Sequence, residues 1–194
     1  MIQRSFSYLT KTPLIVVFLI LFFGVMGFAT ADFFSMGYPV RGTPFDAKVR
    51  SAGCFNLDFP SSETGDWGQK SIQDLFATAR TFRYVSDGRS DKWQSADETE
   101  SRYAGDCEDK AIWLFTRLIN NGYFNVRLVI GRYRSIDSDL HVWVICSDKD
   151  GNTCLLDPAK QKRIWYLTAI DSGLYKPLYA YDGQNRYKYF STNR

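Results

Sequence analysis

Three residues of this chain have the types and settings that nucleophilic catalysis needs: Cys107, His141 and Asp157. Cys107 sits in Gly105-Asp106-Cys107-Glu108-Asp109, at the start of an apolar helical pattern. His141 is the only histidine and opens the strand-like run His141-Val142-Trp143-Val144-Ile145, and Asp157 closes Leu155-Leu156-Asp157-Pro158. A thiol at a helix N-terminus becomes a nucleophile when its pKa falls, which the helix dipole and a nearby imidazole promote. An imidazole acts as a base when a third group fixes its tautomer, and a carboxylate does that. The order Cys, His, Asp therefore reads as an acyl-transfer site with a cysteine nucleophile. Each residue alone has a plainer reading: a buried structural cysteine, a half-buried strand histidine, an Asx turn at Asp157 before Pro158. The acids at 106, 108 and 109 even favour the neutral thiol. Catalysis is favoured by the three together.

The elements that must position them follow from periodicity. Asp106 caps a helix that runs to about Asn120 and stops at Gly122. Its apolar residues Ala111, Ile112, Trp113, Leu114, Phe115, Leu118 and Ile119 cover more than half its circumference, so it is a central helix. A shorter helix begins at Ser71, with Ile72, Leu75, Phe76 and Ala79 on one face. Residues 87–100 read as a polar loop interrupted by Trp93. After Gly122 the pattern is strand: 126–130, 141–147, 153–157, 164–170, then 178–181 paired with 186–190. Helices followed by an antiparallel meander predict an α+β domain. Residues 32–66 are poor in pattern and read as an irregular tether or wrap, which leaves 67–194 as the domain.

One hairpin carries much of the argument. If Lys149-Asp150-Gly151 is a three-residue loop with Gly151 left-handed, Cys146 lies across from Cys154 and Asp157 across from Trp143. Asp157 is then one diagonal step from His141 on the same face. The two cysteines fall on the opposite face, so base and orienter would lie inside and a staple outside. The pair reads either as a disulfide or as two reduced, buried thiols. Cys54 has no evident partner, and no metal-binding cysteine or histidine spacing exists.

The N-terminus bears on which of these holds. Arg4 and Lys11 precede an uncharged apolar run from Leu14 that ends in Ala29-Thr30-Ala31. Residues 1–31 read as a signal peptide cleaved before Asp32, or as an uncleaved anchor, since the run just reaches the ~17–25 residues a spanning helix needs. Either outcome places the rest outside the cytoplasm, on the periplasmic or extracellular face, where disulfides are permitted. An uncleaved leader would make the inner membrane a partner. The two leader cations account for two of the net charge of +3, so the remainder is near neutral and carries no basic stripe. That argues against nucleic acid.

The run Trp93-Gln94-Ser95-Ala96-Asp97-Glu98-Thr99-Glu100 followed by Gly105-Asp106-Cys107-Glu108-Asp109-Lys110-Ala111-Ile112 resembles the bacterial transglutaminase-like cysteine proteinases. Tyr175-Lys176-Pro177-Leu178-Tyr179-Ala180-Tyr181 resembles their closing strand. The resemblance implies a papain/transglutaminase-like core, a Cys-bearing helix packed on an antiparallel sheet that bears His and Asp. It implies an exported cysteine peptidase acting on a protein or peptide substrate, with Cys107 attacking, His141 shuttling the proton and Asp157 orienting it. It also implies an oxyanion hole made by the Cys107 N–H and an upstream donor, Trp93 first and Gln94 second, Trp93 having a core aromatic as its other reading. The triad itself requires no cofactor. Family members use calcium held by acids around the nucleophile, and Asp106 and Glu108 stand at those positions. Transfer to an amine, or a silent binding module, are the alternatives on the same fold. The short domain and Pro158 depart from the family pattern.

Overall fold

Helices and strands alternate here more than the sequence pattern suggests. The computed structural model describes residues 37–55, 57, 70–88, 90–134, 139–167 and 174–190. In chain order these form β1 (Tyr38–Pro39), α1 (Asp46–Ser51), α2 (Ile72–Thr81), β2 (Arg83–Tyr84), α3 (Ala96–Arg102), β3 (Ala104–Gly105) and α4 (Cys107–Asn120). The sheet strands follow: β4 (Arg127–Tyr133), β5 (His141–Ser147), β6 (Thr153–Leu156), β7 (Trp165–Tyr166), β8 (Tyr175–Tyr181) and β9 (Arg186–Lys188). The expected leader, residues 1–31, lies outside the described residues. Among those described, no helix is long and apolar enough to cross a membrane.

Helix α4 is central because its apolar residues leave it no solvated face of any width. Ala111 to Phe115, Leu118 and Ile119 are all buried, and the helix packs on β4, β5, α2 and α3. Each large side chain among them contributes about 1.5–3 kcal/mol of burial. Gly122, at φ 80°, ends it. The mixed helix and antiparallel-sheet architecture is that of an α+β domain. The strand order is β1-β9-β8-β4-β5-β6-β7, with each neighbouring pair antiparallel. This corrects the expected plain meander. Leu128, Val129 and Ile130 of β4 are all fully buried, so both edges and both faces of β4 are covered, and β8 returns to pair beside it.

The β5–β6 hairpin has the expected register: Cys146 faces Cys154, Val144 faces Leu156, and Gly151 sits at φ 81°. The faces are reversed from the expectation. Val142, Val144, Cys146, Cys154 and Leu156 belong to the core beneath α4, whereas Trp143, Ile145 and Leu155 join Tyr175, Ala180 and Tyr189 in a second cluster. The cysteines are therefore inside, and both are free buried thiols. Burial pushes the Cys154 thiol up to about 11.

Of the expected tether or wrap at 32–66, residues 37–55 lie against the domain: Val49, Ala52 and Cys54 are buried in the α4 core, and β1 pairs with β9. Two further expectations need correction. Residues 96–102 form helix α3 rather than loop. Ser95 accepts the Glu98 N–H at its start, and only Ala96 and Thr99 are buried, so the helix is too polar to announce itself by periodicity. The expected strand at 164–170 pairs only at Trp165–Tyr166 within the described residues, and 168–170 lie outside them.

Asp46 ties this N-terminal segment to the sheet. Its carboxylate accepts from Thr43 Oγ1 (2.9 Å), Tyr181 OH (2.9 Å) and Arg186 Nε (2.9 Å). Burial alone would raise the Asp46 carboxyl, but the two hydroxyls and the Arg186 charge outweigh it and hold it below its ordinary value. A depressed folded-state pKa means stability that is present above the unfolded value near ~3.9 and lost as pH falls through the folded one. Asp46→Asn should thus cost about 1–2 kcal/mol at pH 7. In urea unfolding, that difference from the parent should shrink progressively below about pH 4.

Candidate active site

The start of α4 is held by a carboxylate that the sequence pattern treats only as a cap. Asp109 is fully buried, and it accepts the Gln94 N–H (2.8 Å), Gln94 Nε2 (2.6 Å) and the Asp106 N–H (3.2 Å). It thereby fastens the 93–95 loop to the first turn of the helix. Burial pushes its carboxyl up to about 6. The tie requires Gly105, because a Cβ there would fall 2.5 Å from Asp109 Cβ and 2.7 Å from Oδ2. Gly105→Ala should lower stability by about 1–3 kcal/mol in urea unfolding and loosen Gln94 with it.

Cys107 follows as the first residue of α4, where N–H groups have no intrahelical acceptor. Its thiol donates to Glu108 Oε2 at 3.1 Å. Burial first, and then the Glu108 charge, push the thiol well above its ordinary value, while the Val142 N–H pulls the other way. That N–H belongs to the residue after His141, so helix start and strand start meet at this sulfur. In this arrangement Cys107 is a neutral thiol.

His141 and Asp157 form the buried pair that the hairpin register requires. His141 Nε2 lies 2.6 Å from Asp157 Oδ2, which leaves Nδ1 as the ring's other nitrogen. Asp157 is over-determined. Its Oδ1 accepts the N–H groups of Ala159 (3.0 Å) and Lys160 (3.0 Å), and Oδ2 also accepts Tyr175 OH (2.9 Å). The Asx turn and the orienting role are thus compatible rather than rival. Trp143 stacks on the imidazole at 6.1 Å between centroids, and Tyr133 lies 5.8 Å from it. The sequence places Tyr175 only in the closing-strand resemblance and gives it no part in the site; the structure pairs it with Tyr133 across β4 and β8.

The two upstream donors differ in availability. The Trp93 indole N–H donates to Asp91 Oδ1 at 3.2 Å, and the ring stacks on Phe45 with Lys48 over it. Its indole donor is used and the ring is buried, which fits the core-aromatic reading of its side chain. Gln94 gives one Nε2 hydrogen to Asp109 and retains a second.

Asp106 and Glu108 gain a third carboxylate, Asp87, with one oxygen of each within 4.8 Å of the others. Asp106 Oδ2 accepts the Asp87 N–H at 3.4 Å, while Asp106 Oδ1 is buried with no partner. Burial and the neighbouring Glu108 push the Asp106 carboxyl up to about 7. An orphaned buried oxygen among three convergent carboxylates suits a hard divalent cation such as calcium. Tyr84 pairs with Gly105 through the backbone, and partial burial followed by the nearby acids Asp106, Glu108 and Asp157 pushes its phenol up to about 12.

No protein-family model matches the sequence, and no curated protein matches it. Solved structures do. Calcium-bound LapG of Legionella pneumophila superposes with a TM-score of 0.53 at 20% identity, over 63% of this chain and 71% of that one. EGTA-treated LapG gives 0.55 at 19% identity, over 66% and 73%. At these identities the likeness establishes a shared fold.

Proposed function

We propose that this chain is a cysteine peptidase-like hydrolase acting by acyl-enzyme chemistry on a peptide bond of an exported protein. The observation that carries the reading is the buried His141 Nε2–Asp157 Oδ2 contact at 2.6 Å beside the start of α4. With Nε2 held by Asp157, Nδ1 is the nitrogen left to take the Cys107 proton. The thiolate then adds to the scissile carbonyl, and the oxyanion is met by the Cys107 N–H and the second Nε2 hydrogen of Gln94. Collapse breaks the C–N bond, and the amine leaves with the proton from His141. Water, deprotonated by His141, then releases the acyl group from sulfur and restores the thiol.

The LapG structures in calcium-bound and EGTA-treated forms support a calcium role. Asp87, Asp106 and Glu108 would hold the ion. Its charge would neutralise the acids that keep the thiol protonated. Residues 1–31, as a cleaved signal or an anchor, would place the domain on the periplasmic or extracellular face.

The test is iodoacetamide labelling of the full chain near neutral pH, with the label mapped to Cys107. Labelling about tenfold faster in calcium than in EGTA is expected, because the thiolate is the reactive form. Labelling as slow as an ordinary buried thiol in both conditions would end the reading.

A further inference from the structure

Beside His141, two cations share one aromatic ring. The Arg134 guanidinium lies 5.3 Å from the Tyr133 centroid, and Lys160 Nζ lies 5.8 Å from it. The Tyr133 ring in turn is 5.8 Å from the imidazole. Among the described residues neither cation forms an ion pair. Both are exposed, and the exposed Arg132 and Lys176, which are register partners, add positive charge on the same strands.

Both positions are held rather than incidental. Arg134 sits at φ 64°, where a residue other than glycine or asparagine pays about 1 kcal/mol or more. Its N–H donates to Leu174 O at 2.6 Å, which locks the bend at the end of β4. Lys160 is anchored through its own N–H on Asp157 Oδ1 at 3.0 Å. Two like charges brought onto one ring repel each other, and an anion between them removes that cost. Guanidinium is suited to bind a carboxylate through two parallel hydrogen bonds.

We propose that Arg134, Lys160 and the Tyr133 ring form a subsite for a carboxylate, namely an acidic side chain of the substrate. Two steps of at most 5.8 Å separate the imidazole from the cations. At ~3.4 Å per extended residue, that puts the acidic residue within about three residues of the scissile bond. Naming the site a substrate subsite rests on the proposed hydrolase reading, whereas carboxylate binding does not.

The test uses the full chain carrying Cys107→Ala, titrated by NMR in calcium with acetyl-Glu-Glu-amide and its neutral twin acetyl-Gln-Gln-amide. The acidic peptide should bind about tenfold more tightly. Arg134→Gln with Lys160→Gln should abolish the difference. Arg134→Gly, which suits the left-handed backbone and so keeps the fold, should reduce it by itself. Equal affinities, or a difference that survives both variants, would overturn the proposal. The chain with Cys107 intact is then given a peptide mixture. Acidic preference in binding with nothing cut would end the hydrolase reading and keep the carboxylate site. Cutting without acidic preference would keep the reading and end the site.

Discussion

Replacing His141 by alanine is expected to lower kcat/KM for peptide hydrolysis by about 10,000-fold, with little change in thermal unfolding. The chain has no second histidine to substitute for it. The fold survives because Asp157 keeps the Ala159 and Lys160 N–H groups and the Tyr175 hydroxyl. Cys107→Ala should cause a similar loss, and the double variant should lose little more, since groups that act on one bond act as a unit. Turnover within tenfold of the parent in either single variant would show that the chemistry lies elsewhere.

The second large effect is on stability. Gly131 stands opposite His141 in the β4–β5 register, at the point where the β4–β8 register shifts. A Cβ there would fall 2.2 Å from Lys176 O, 2.9 Å from Pro177 Cα and 2.6 Å from Trp143 Cη2. Two of those neighbours are backbone atoms and cannot rotate away. Gly131→Ala should therefore cost about 3 kcal/mol, visible as a lower urea midpoint. It should also reduce turnover in the molecules that remain folded, because Trp143, whose ring stacks on His141, is pushed at Cη2. A parent-like midpoint would mean that β8 shifts freely, and the packing described above would be wrong.

The placement of the site was legible wherever one strong local rule governed it. The start of α4 follows from the Asp106 cap and the apolar run after it. The β5–β6 register follows from a single left-handed Gly151, and with it the meeting of His141 and Asp157. What escaped were features governed by distant partners. The pairing of β8 with β4 depends on both edges of β4 being buried, which its sequence does not distinguish from one. Helix α3 is capped and acidic but nearly all solvated, so apolar periodicity passes over it. Asp87 joins Asp106 and Glu108 only through the fold, and nothing near it in the sequence marks it as a ligand. The Tyr175 hydroxyl on Asp157 has the same origin. The inside and outside of the hairpin were exchanged because both faces of the sheet are buried, and alternation alone cannot say which one a helix covers.

The spacing of contacts along the chain also bears on the order of assembly. His141 and Asp157 are 16 residues apart, whereas Asp46 and Arg186 are 140 apart. Loop-closure entropy makes the longer connection harder to close by about 2 kcal/mol. The His141–Asp157 pair can therefore form early, across its own β5–β6 hairpin, with the contacts of residues 37–55 closing later. Residues 37–55 have the most chain entropy to regain on release, so hydrogen exchange is expected to begin there before it reaches the β5–β6 hairpin.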